Sequence, residues 1–570
     1  MKKHPIFLDL LILLIITIPS FISLLNNQYF AIHDNQHVVR LYLLDKGIKQ
    51  GYLYPRWVDE LTFGFGDPLF NFYPPLVYYL GEIFHLLGFS YIWSIKLVFI
   101  FGFIIGAISS YFLVKEILGR LAGFLGATVF TYYFYHLINA YVRGALSEFW
   151  AMNLVPFIFL FLYRLAKRPH LKNSLYLALS IALVFLAHQL VALPLIFFLF
   201  FFFIYCFLTV SNKKKFFYHA LFGGILGLGL SAFYWLPMFY ERKFTFLDIE
   251  LGGYQDHFIF PYQFWYSPWG FGASVKGIID GMSFQLGKIP ILLIVFSLVS
   301  FFLLLLRTAK KTYLNHFFFF LLLMVFGLWM TTEYSYLIWN NFKLLWNLQF
   351  PWRFLSVSAI FISILSCYWI FFLKKLYPDK KKFINLLTIF FIVLIIFKYQ
   401  KYASPQKYLN VKDRDLLTKE EIQWRQSQTV LHFVPKGVKA KKNQYGVYVL
   451  DIEKKDLPKA IYEIKKGEGK VKILKNKYQE KEFQIKAKTP LLFQLNTFHF
   501  VGWQAYLNNK KIPINDKNSY KLINVSTPQG DYNLRFVFTD TLVRKITNFF
   551  SIFSLLVFLL LLTTKLINFY

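Results

Sequence analysis

The sequence predicts a polytopic α-helical membrane protein with about twelve transmembrane helices and an extracytoplasmic β-sandwich-like domain before the last helix. Three observations carry this. The 570 residues are 57% hydrophobic, 21% aromatic and only 16% charged, a composition too apolar for an ordinary water-exposed surface. The apolar residues gather into stretches near the ~20 needed to cross a hydrocarbon core. Lys and Arg cluster between alternate stretches, and a long polar segment with period-two patterning precedes the last one.

In order, the expected spans are 6–25, 91–113, 121–138, 149–164, 173–190, 191–210, 217–238, 289–306, 316–331, 354–373, 383–398 and 546–566. The start "MKKHPIFLDLLILLIITIPSFISLL" has the basic n-region of a signal peptide, but its apolar stretch is long and no small-residue cleavage site follows, so it reads as a retained anchor. Spans five and six meet at "AHQLVALP", where a His-Gln pair and a Pro are the whole turn; a single kinked or re-entrant hairpin is the alternative.

"MKKH", "KEILGR", "YRLAKRPHLK", "SNKKK", "RTAKK" and "KKLYPDKKK" fall on one side, which the positive-inside rule makes the cytoplasm. The expected organisation in the cytoplasmic (inner) membrane is then a transmembrane domain at 1–398 with its first external loop at 26–90, an extracytoplasmic soluble domain at 399–545, and a C-terminal helix at 546–570, the N-terminus being cytoplasmic.

From about 430 the runs "YGVYVLDI", "AIYEIKK", "KVKILK", "EFQIKA", "LLFQLNTF", "WQAYLN", "KLINVS" and "YNLRFVF" alternate with a period of two, which predicts about eight strands of a sandwich. "GWQAYLNNKKIPI" predicts a hairpin across a polar Asn-Asn-Lys turn. The stretch "DRDLLTKEEIQWRQS" before it is charged and more helical.

Cys206 and Cys367 lie in expected spans, which supports neither a disulfide framework nor a thiolate metal site. The formal charge of +32 is carried largely by lysines scattered among abundant Phe, Ile, Asn and Tyr, the usage of an AT-rich coding sequence. It predicts at most an attraction to anionic headgroups or glycans, and no nucleic-acid partner. The lipid bilayer is the partner that composition demands.

The segment "AIHDNQHVVRL" at 31–41 follows the first span and places Asp34 between His33 and His37. Interfacial anchors favour Lys, Arg, Trp and Tyr, whereas a carboxylate flanked by imidazoles at a helix end is either a satisfied surface or a site. In helical phase Asp34 and His37 share a face, with Arg40 beside them. Asp34 and His37 could share a proton, a metal ion or a substrate hydroxyl. The loop continues through Arg56 in "YPRW", a Tyr-Pro-Pro turn and an amphipathic helix, more structure than a connector needs.

Other ionisable residues are expected at membrane boundaries. Arg143 and Glu148 share "YVRGALSEF", His188 ends span five, and Arg353 lies in "QFPWRF". Each arginine either holds an anion through its fork of donors or snorkels to the interface. Glu148 is either a second carboxylate for substrate or the ion-pair partner of Arg143. The aromatic loop at 254–270 reads as an interfacial belt. The glycine-rich "GGILGLGL" at 223–230 is inside an apolar span, where small residues let helices approach; no phosphate-binding glycine loop occurs elsewhere.

The runs "HDNQHVVRLYLLDKGIKQGYLYPRW", "GFGDPLFNFYPPLVYYL", "YVRGALSEFWAMNLVPF" and "LQFPWRFLSV" together resemble the bacterial membrane proteins labelled 6-pyruvoyl-tetrahydropterin synthase-related. The ending "FHFVGWQAYLNNKKIPI" before a last span is similar to YfhO-type membrane proteins. Both look like members of the GT-C superfamily of glycosyltransferases. The "synthase" of the label does not transfer, because that soluble zinc enzyme needs clustered His ligands and this chain has no such cluster.

The resemblance implies a GT-C-like fold and an inverting glycosyltransferase (a transferase) that takes a sugar from a polyprenyl-phosphate-linked donor to a cell-envelope glycan, lipid or protein acceptor at the outer face. It implies catalysis by an acidic residue in the first external loop, where this sequence has Asp34; Glu148, from its own position, is the second catalytic candidate, a carboxylate for acceptor or metal unless it is only the partner of Arg143. Expected substrate-binding residues are His37, Arg40, Arg56, Arg143, His188 and Arg353. No cofactor is certain; a divalent cation would have His33 and Asp34 as its candidate ligands. Two readings of other classes stay open: a transporter or flippase for a lipid-linked saccharide, which predicts mid-span charges and paired repeats, and a non-catalytic assembly protein, which predicts a replaceable Asp34.

Overall fold

All twelve expected stretches fold into helices, but not into twelve straight spans. The computed structural model describes residues 6–248, 253–277, 279–307, 312–429, 433–442 and 448–567. Among these, eight helices are long and apolar enough to cross a membrane. Three more crossings are pairs bent at a short break: Arg120–Thr131 with Phe134–Tyr141 by 47°, Lys213–Leu230 with Ala232–Phe244 by 70°, and His316–Trp329 with Glu333–Asn341 by 94°. The chain is thus a polytopic helical membrane protein with eight to eleven candidate spans.

The expected count of about twelve differs from that range by one shorter helix, and the bent pairs are continuous in hydropathy because apolar content reports length in residues and not straightness. The expected fifth span corresponds to Leu171–Ala187, only 17 residues, and the extended backbone of His188 turns the chain directly into Gln189–Thr209. Basic residues of "MKKH" and the two lysines ending "RTAKK" lie outside the described residues.

The glycine-rich helix packs as its composition requires. A Cβ at Gly223 would come within 2.8 Å of the Ser174 carbonyl oxygen, and one at Gly227 within 2.6 Å of that of Ala178, so Lys213–Leu230 lies directly against Leu171–Ala187. Cys206 and Cys367 are buried and free.

The segment after the first helix is folded against the C-terminal strands. Strand β1 (Tyr29–Phe30) pairs with β2 (Tyr408–Leu409), and β3 (Ala440–Lys442) pairs antiparallel with β4 (Tyr448–Leu450). The run "YGVYVLDI" begins at residues outside the described set, and β4 is its visible part.

Eight further strands follow: β5 (Tyr462–Lys466), β6 (Gly469–Lys477), β7 (Glu480–Ala487), β8 (Leu491–Phe498), β9 (Trp503–Leu507), β10 (Lys510–Ile512), β11 (Leu522–Thr527) and β12 (Gly530–Phe538). They form a five-stranded sheet in the order β10-β9-β12-β7-β6 and a three-stranded sheet in the order β11-β8-β5, every pairing antiparallel. Alternate residues of β7 and β12 are buried, and Phe483, Phe493 and Phe536 meet between the sheets with ring centroids 5.1 to 6.2 Å apart. The hairpin β9–β10 turns on Asn508 and Asn509, whose φ values of 45° and 66° make it a two-residue turn without the following lysine.

One buried ion pair ties these parts together. Glu241, in the bent helix pair, accepts Arg544 Nε at 3.0 Å and Nη2 at 2.8 Å, Thr541 Oγ1 at 2.7 Å and Asn71 Nδ2 at 2.8 Å. Arg544, at the start of the last helix, is 0% exposed and also donates to the Val501 carbonyl at 3.1 Å, next to the sheets. Removing one partner strands a buried charge. Glu241→Gln is therefore expected to lower stability by ~3–5 kcal/mol, and Thr541→Val by only ~1 kcal/mol, read as thermal unfolding of the detergent-solubilised protein.

Candidate functional site

The site starts from two chain segments laid side by side. The His33 N–H donates to the Val142 carbonyl at 3.0 Å and the Asp34 N–H to that of Arg143 at 2.9 Å. Gly144 follows with φ +63°, and a Cβ there would meet Ile32 at 2.5 Å, so the close approach needs glycine. Beneath them His37 is 0% exposed, with Nε2 at 2.6 Å from the Gly144 carbonyl and Nδ1 at 3.0 Å from the Tyr78 hydroxyl. A carbonyl only accepts, which assigns the proton to Nε2 and makes Tyr78 the donor to Nδ1. Burial pushes the imidazole down to about 4, and neutral His37 locks the first loop onto the turn that carries Arg143.

A cavity of about 470 Å³ opens at this junction, within the size range of small-molecule sites. Asp34, Arg40, Arg143, Glu148, His188 and Arg353 all line it, and so does His33. Glu148, 1% exposed, begins the helix Leu146–Lys167. Its Oε2 accepts Arg143 Nη1 at 3.0 Å and lies 3.4 Å from Arg353 Nε, while Oε1 accepts the Tyr135 hydroxyl. Arg143 stacks on Trp352 with its guanidinium carbon 4.6 Å from the ring centroid and donates to Asn139. Arg40 lies 3.9 Å over the Tyr73 ring and donates to Gln36.

Arg353 is aimed by backbone strain. Gln349 has φ 63° and ψ −38°, and the Phe350 N–H closes a γ-turn on the Leu348 carbonyl at 2.7 Å. That same carbonyl accepts Arg353 Nη1 at 2.7 Å.

Asp34 differs from Glu148 in every respect that matters for reactivity. It is exposed, and its carboxylate has no hydrogen-bond or ion-pair partner among the described residues, yet Arg40, Arg143 and Arg353 lie within its electrostatic reach. The lining also includes Arg242, whose Nη1 donates to Asn347 at 2.6 Å. Arg242 aside, three guanidiniums stand against two carboxylates among the described lining residues, a surplus of one positive charge. Among the described residues His188 Nδ1 and Ser147 Oγ are buried without a hydrogen-bond partner, and Arg353 Nε has only its 3.4 Å ion pair with Glu148. Unspent donors and surplus positive charge suit an acceptor-rich anion.

Not every expected residue lines the cavity. His37 is behind its wall and acts through Gly144 and Tyr78. Arg56 is elsewhere: it donates to Asn71 at 3.0 Å, the Phe233 carbonyl at 2.8 Å and Asn548 at 3.2 Å, bracing the loop against the last helix. His33 is on the rim with Nε2 2.8 Å from the Phe271 carbonyl oxygen. Among the described residues no group of three or more His, Cys, Asp or Glu is arranged to hold a metal ion, so His33 and Asp34 form at most a partial ligand set. Arg242 and Gln349 were not anticipated: the first reads as a basic flank of a span, and the strained turn at the second leaves no sequence signature.

Residues 70–404 match the profile of a family described as 6-pyruvoyl-tetrahydropterin synthase related domain, membrane protein. No curated protein sequence gives a significant match. Among solved structures, arabinofuranosyltransferase AftD from Mycobacteria is similar over 71% of this chain and 27% of its own, at 12% identity and a TM-score of 0.43. The oligosaccharyltransferase AglB of Archaeoglobus fulgidus, in complex with an inhibitory peptide and a dolichol-phosphate, is similar over 71% of this chain and 57% of its own, at 15% identity and a TM-score of 0.43. ArnT from Cupriavidus metallidurans, bound to undecaprenyl phosphate, is similar over 70% of this chain and 89% of its own, at 11% identity and a TM-score of 0.30. The chain spans only about a quarter of AftD and just over half of AglB.

The state of His37 carries a pH prediction. Its value near 4 in the fold lies below the ordinary 6.5, so between these values the unfolded chain takes up a proton that the folded chain does not. The contribution of neutral His37 is complete above pH 6.5 and is lost as pH falls toward 4. In thermal unfolding from pH 7.5 to 4.5, wild type is expected to lose more stability than His37→Gln, the difference growing only below about pH 6.5.

Proposed function

The chain belongs to the 6-pyruvoyl-tetrahydropterin synthase related family of membrane proteins, and from that premise we propose that it is a GT-C-type glycosyltransferase, moving a sugar from a polyprenyl-phosphate donor to a cell-envelope acceptor at the outer face of the cytoplasmic membrane. The observation that carries this reading is the contrast between two carboxylates in one cavity: Asp34 exposed and without a partner, Glu148 buried and consumed by two arginines.

The chemistry follows from that contrast. Asp34 accepts the proton of an acceptor hydroxyl as its oxygen attacks the anomeric carbon. The bond from that carbon to the donor phosphate oxygen breaks in the same displacement, inverting the centre without a covalent intermediate. The departing lipid phosphate keeps the electron pair, and its charge develops opposite Arg143 and Arg353, which are already oriented and need no reorganisation. Glu148 is the positioning residue for both guanidiniums. Arg40 and His188 provide further contacts to the phosphate or sugar, His37 positions the Asp34 segment, and Arg56 supports the loop from outside.

The test compares cells carrying the intact protein, a deletion, and Asp34→Asn or Arg353→Gln at matched membrane levels, with envelope glycans and lipid-linked sugars read by mass spectrometry. Asp34→Asn is expected to slow transfer by ~10²–10⁴-fold, the usual size of a general-base contribution, so that one modification disappears while its polyprenyl-phosphate donor accumulates. Arg353→Gln is expected to act on donor binding as well as turnover. An Asp34→Asn variant that behaves like the intact protein would defeat the transfer reading.

A further inference from the structure

A second cavity, of about 240 Å³, lies where the loop at 26–90 meets the β-strands. Its walls include Lys46, Asp59, Glu60, Gln423, Tyr478 and Lys481. Nothing in the proposed transfer chemistry uses them.

Three wall atoms are buried and without a hydrogen-bond partner among the described residues: Glu60 Oε2, Gln423 Oε1 and Tyr478 Oη. Buried polar atoms of this kind occur elsewhere in the chain as well, but here three converge on one space. The neighbouring cations do not satisfy them. Lys46 Nζ is engaged by Glu60 Oε1 and Lys481 Nζ by Asp59 Oδ2, while Asp59 Oδ1 takes Trp57 Nε1 at 3.2 Å. Tyr478 is 1% exposed, and burial and the facing Glu60 carboxylate hold its phenol protonated, so its single O–H is shared between Glu60 and the cavity while its oxygen remains an acceptor.

The two cavities differ in what their inner walls leave unmet. The one at Asp34 has surplus guanidinium charge and unspent donors, which suit a phosphate. At Glu60 the inner charges are paired, the further lysines of the lining, Lys419 and Lys459, are exposed at its mouth, and the interior presents acceptor oxygens beside one hydroxyl, which suit a ligand rich in O–H groups. Its volume is below that of drug-sized sites and fits one ring.

Pro458–Ala460 also line a neighbouring open hollow of about 440 Å³, whose walls include the rings of Phe65, Tyr462 and Tyr520. Aromatic faces of this kind stack on the C–H faces of sugars. The helix His37–Lys49 links both sites, since Arg40 lines the first cavity and Lys46 the second, about 9 Å apart along the helix axis.

We propose that the cavity at Glu60, Gln423 and Tyr478 is a glycan-binding site that holds one neutral sugar ring, with the next unit of the chain over Tyr462 and Tyr520. The site stands as a binding site on its own. Combined with transfer at Asp34, it grips the acceptor glycan on the side of the cavity away from the lipid phosphate.

The experiment uses full-length protein in lipid nanodiscs with four neutral probes, cellotriose, mannotriose, galactotriose and chitotriose, followed by saturation-transfer NMR. At least one is expected to receive saturation, and Tyr478→Phe and Gln423→Leu are each expected to weaken its binding by about tenfold. Because both substitutions delete an unpaired polar atom, the unfolding midpoint should hold or rise, which separates lost binding from lost fold. Absence of transfer to all four probes, or binding indifferent to both substitutions, overturns the proposal. The same titration on Asp34→Asn keeps the two readings apart: retained glycan binding with unimpaired transfer defeats only the chemistry at Asp34, and abolished transfer with no glycan binding in any form of the protein defeats only this site.

Discussion

Glu148 is a carboxylate at 1% exposure with a guanidinium at 3.0 Å on one side and another at 3.4 Å on the other, and the cavity owes its character to that arrangement. A lone buried arginine would be prohibitive, and two side by side more so. One shared acid makes both tolerable, yet one negative charge cannot neutralise two positive ones. The remainder points into the cavity. Trp352 under Arg143, the γ-turn at Gln349 above Arg353 and the hydroxyl of Tyr135 on Glu148 all serve to hold that unbalanced triad in place.

Asp34 gains its meaning from the triad. In isolation it is a surface carboxylate on a loop, of which every protein has many. Held over a net-positive wall by backbone bonds to Val142 and Arg143, with neutral His37 beneath, it faces the place where an anion would rest. The loop at 26–90 is thus shared between two cavities with different hydrogen-bonding needs, and the Glu241–Arg544 pair fixes the last helix and the sheets against the same loop.

The fold was legible where physics is local. Period-two alternation marks β7 and β12 because one face of each strand is buried between the sheets, and Asn508-Asn509 marks its hairpin because both residues need positive φ. The bends near Tyr132, Ser231 and Thr331 were not legible, since hydropathy counts apolar residues without regard to direction. In sequence Asp34, Arg143, Glu148 and Arg353 stand out only as unusual residue types at membrane boundaries; their common cavity is a product of packing between distant segments. Arg56 misled because a buried arginine holding Asn71 and Asn548 looks in sequence like one holding a ligand. Arg242, Gln423 and Tyr478 carried no signal, their significance resting on what the fold leaves unpaired.

The most direct test of the central claim is a cryo-EM structure of the protein with a polyprenyl phosphate bound. The account predicts phosphate density between the Arg143 and Arg353 guanidiniums, with the Asp34 carboxylate facing it across the cavity and Glu148 still bridging the two arginines. Phosphate density at any other place, with the cavity at Asp34 unchanged, would contradict it.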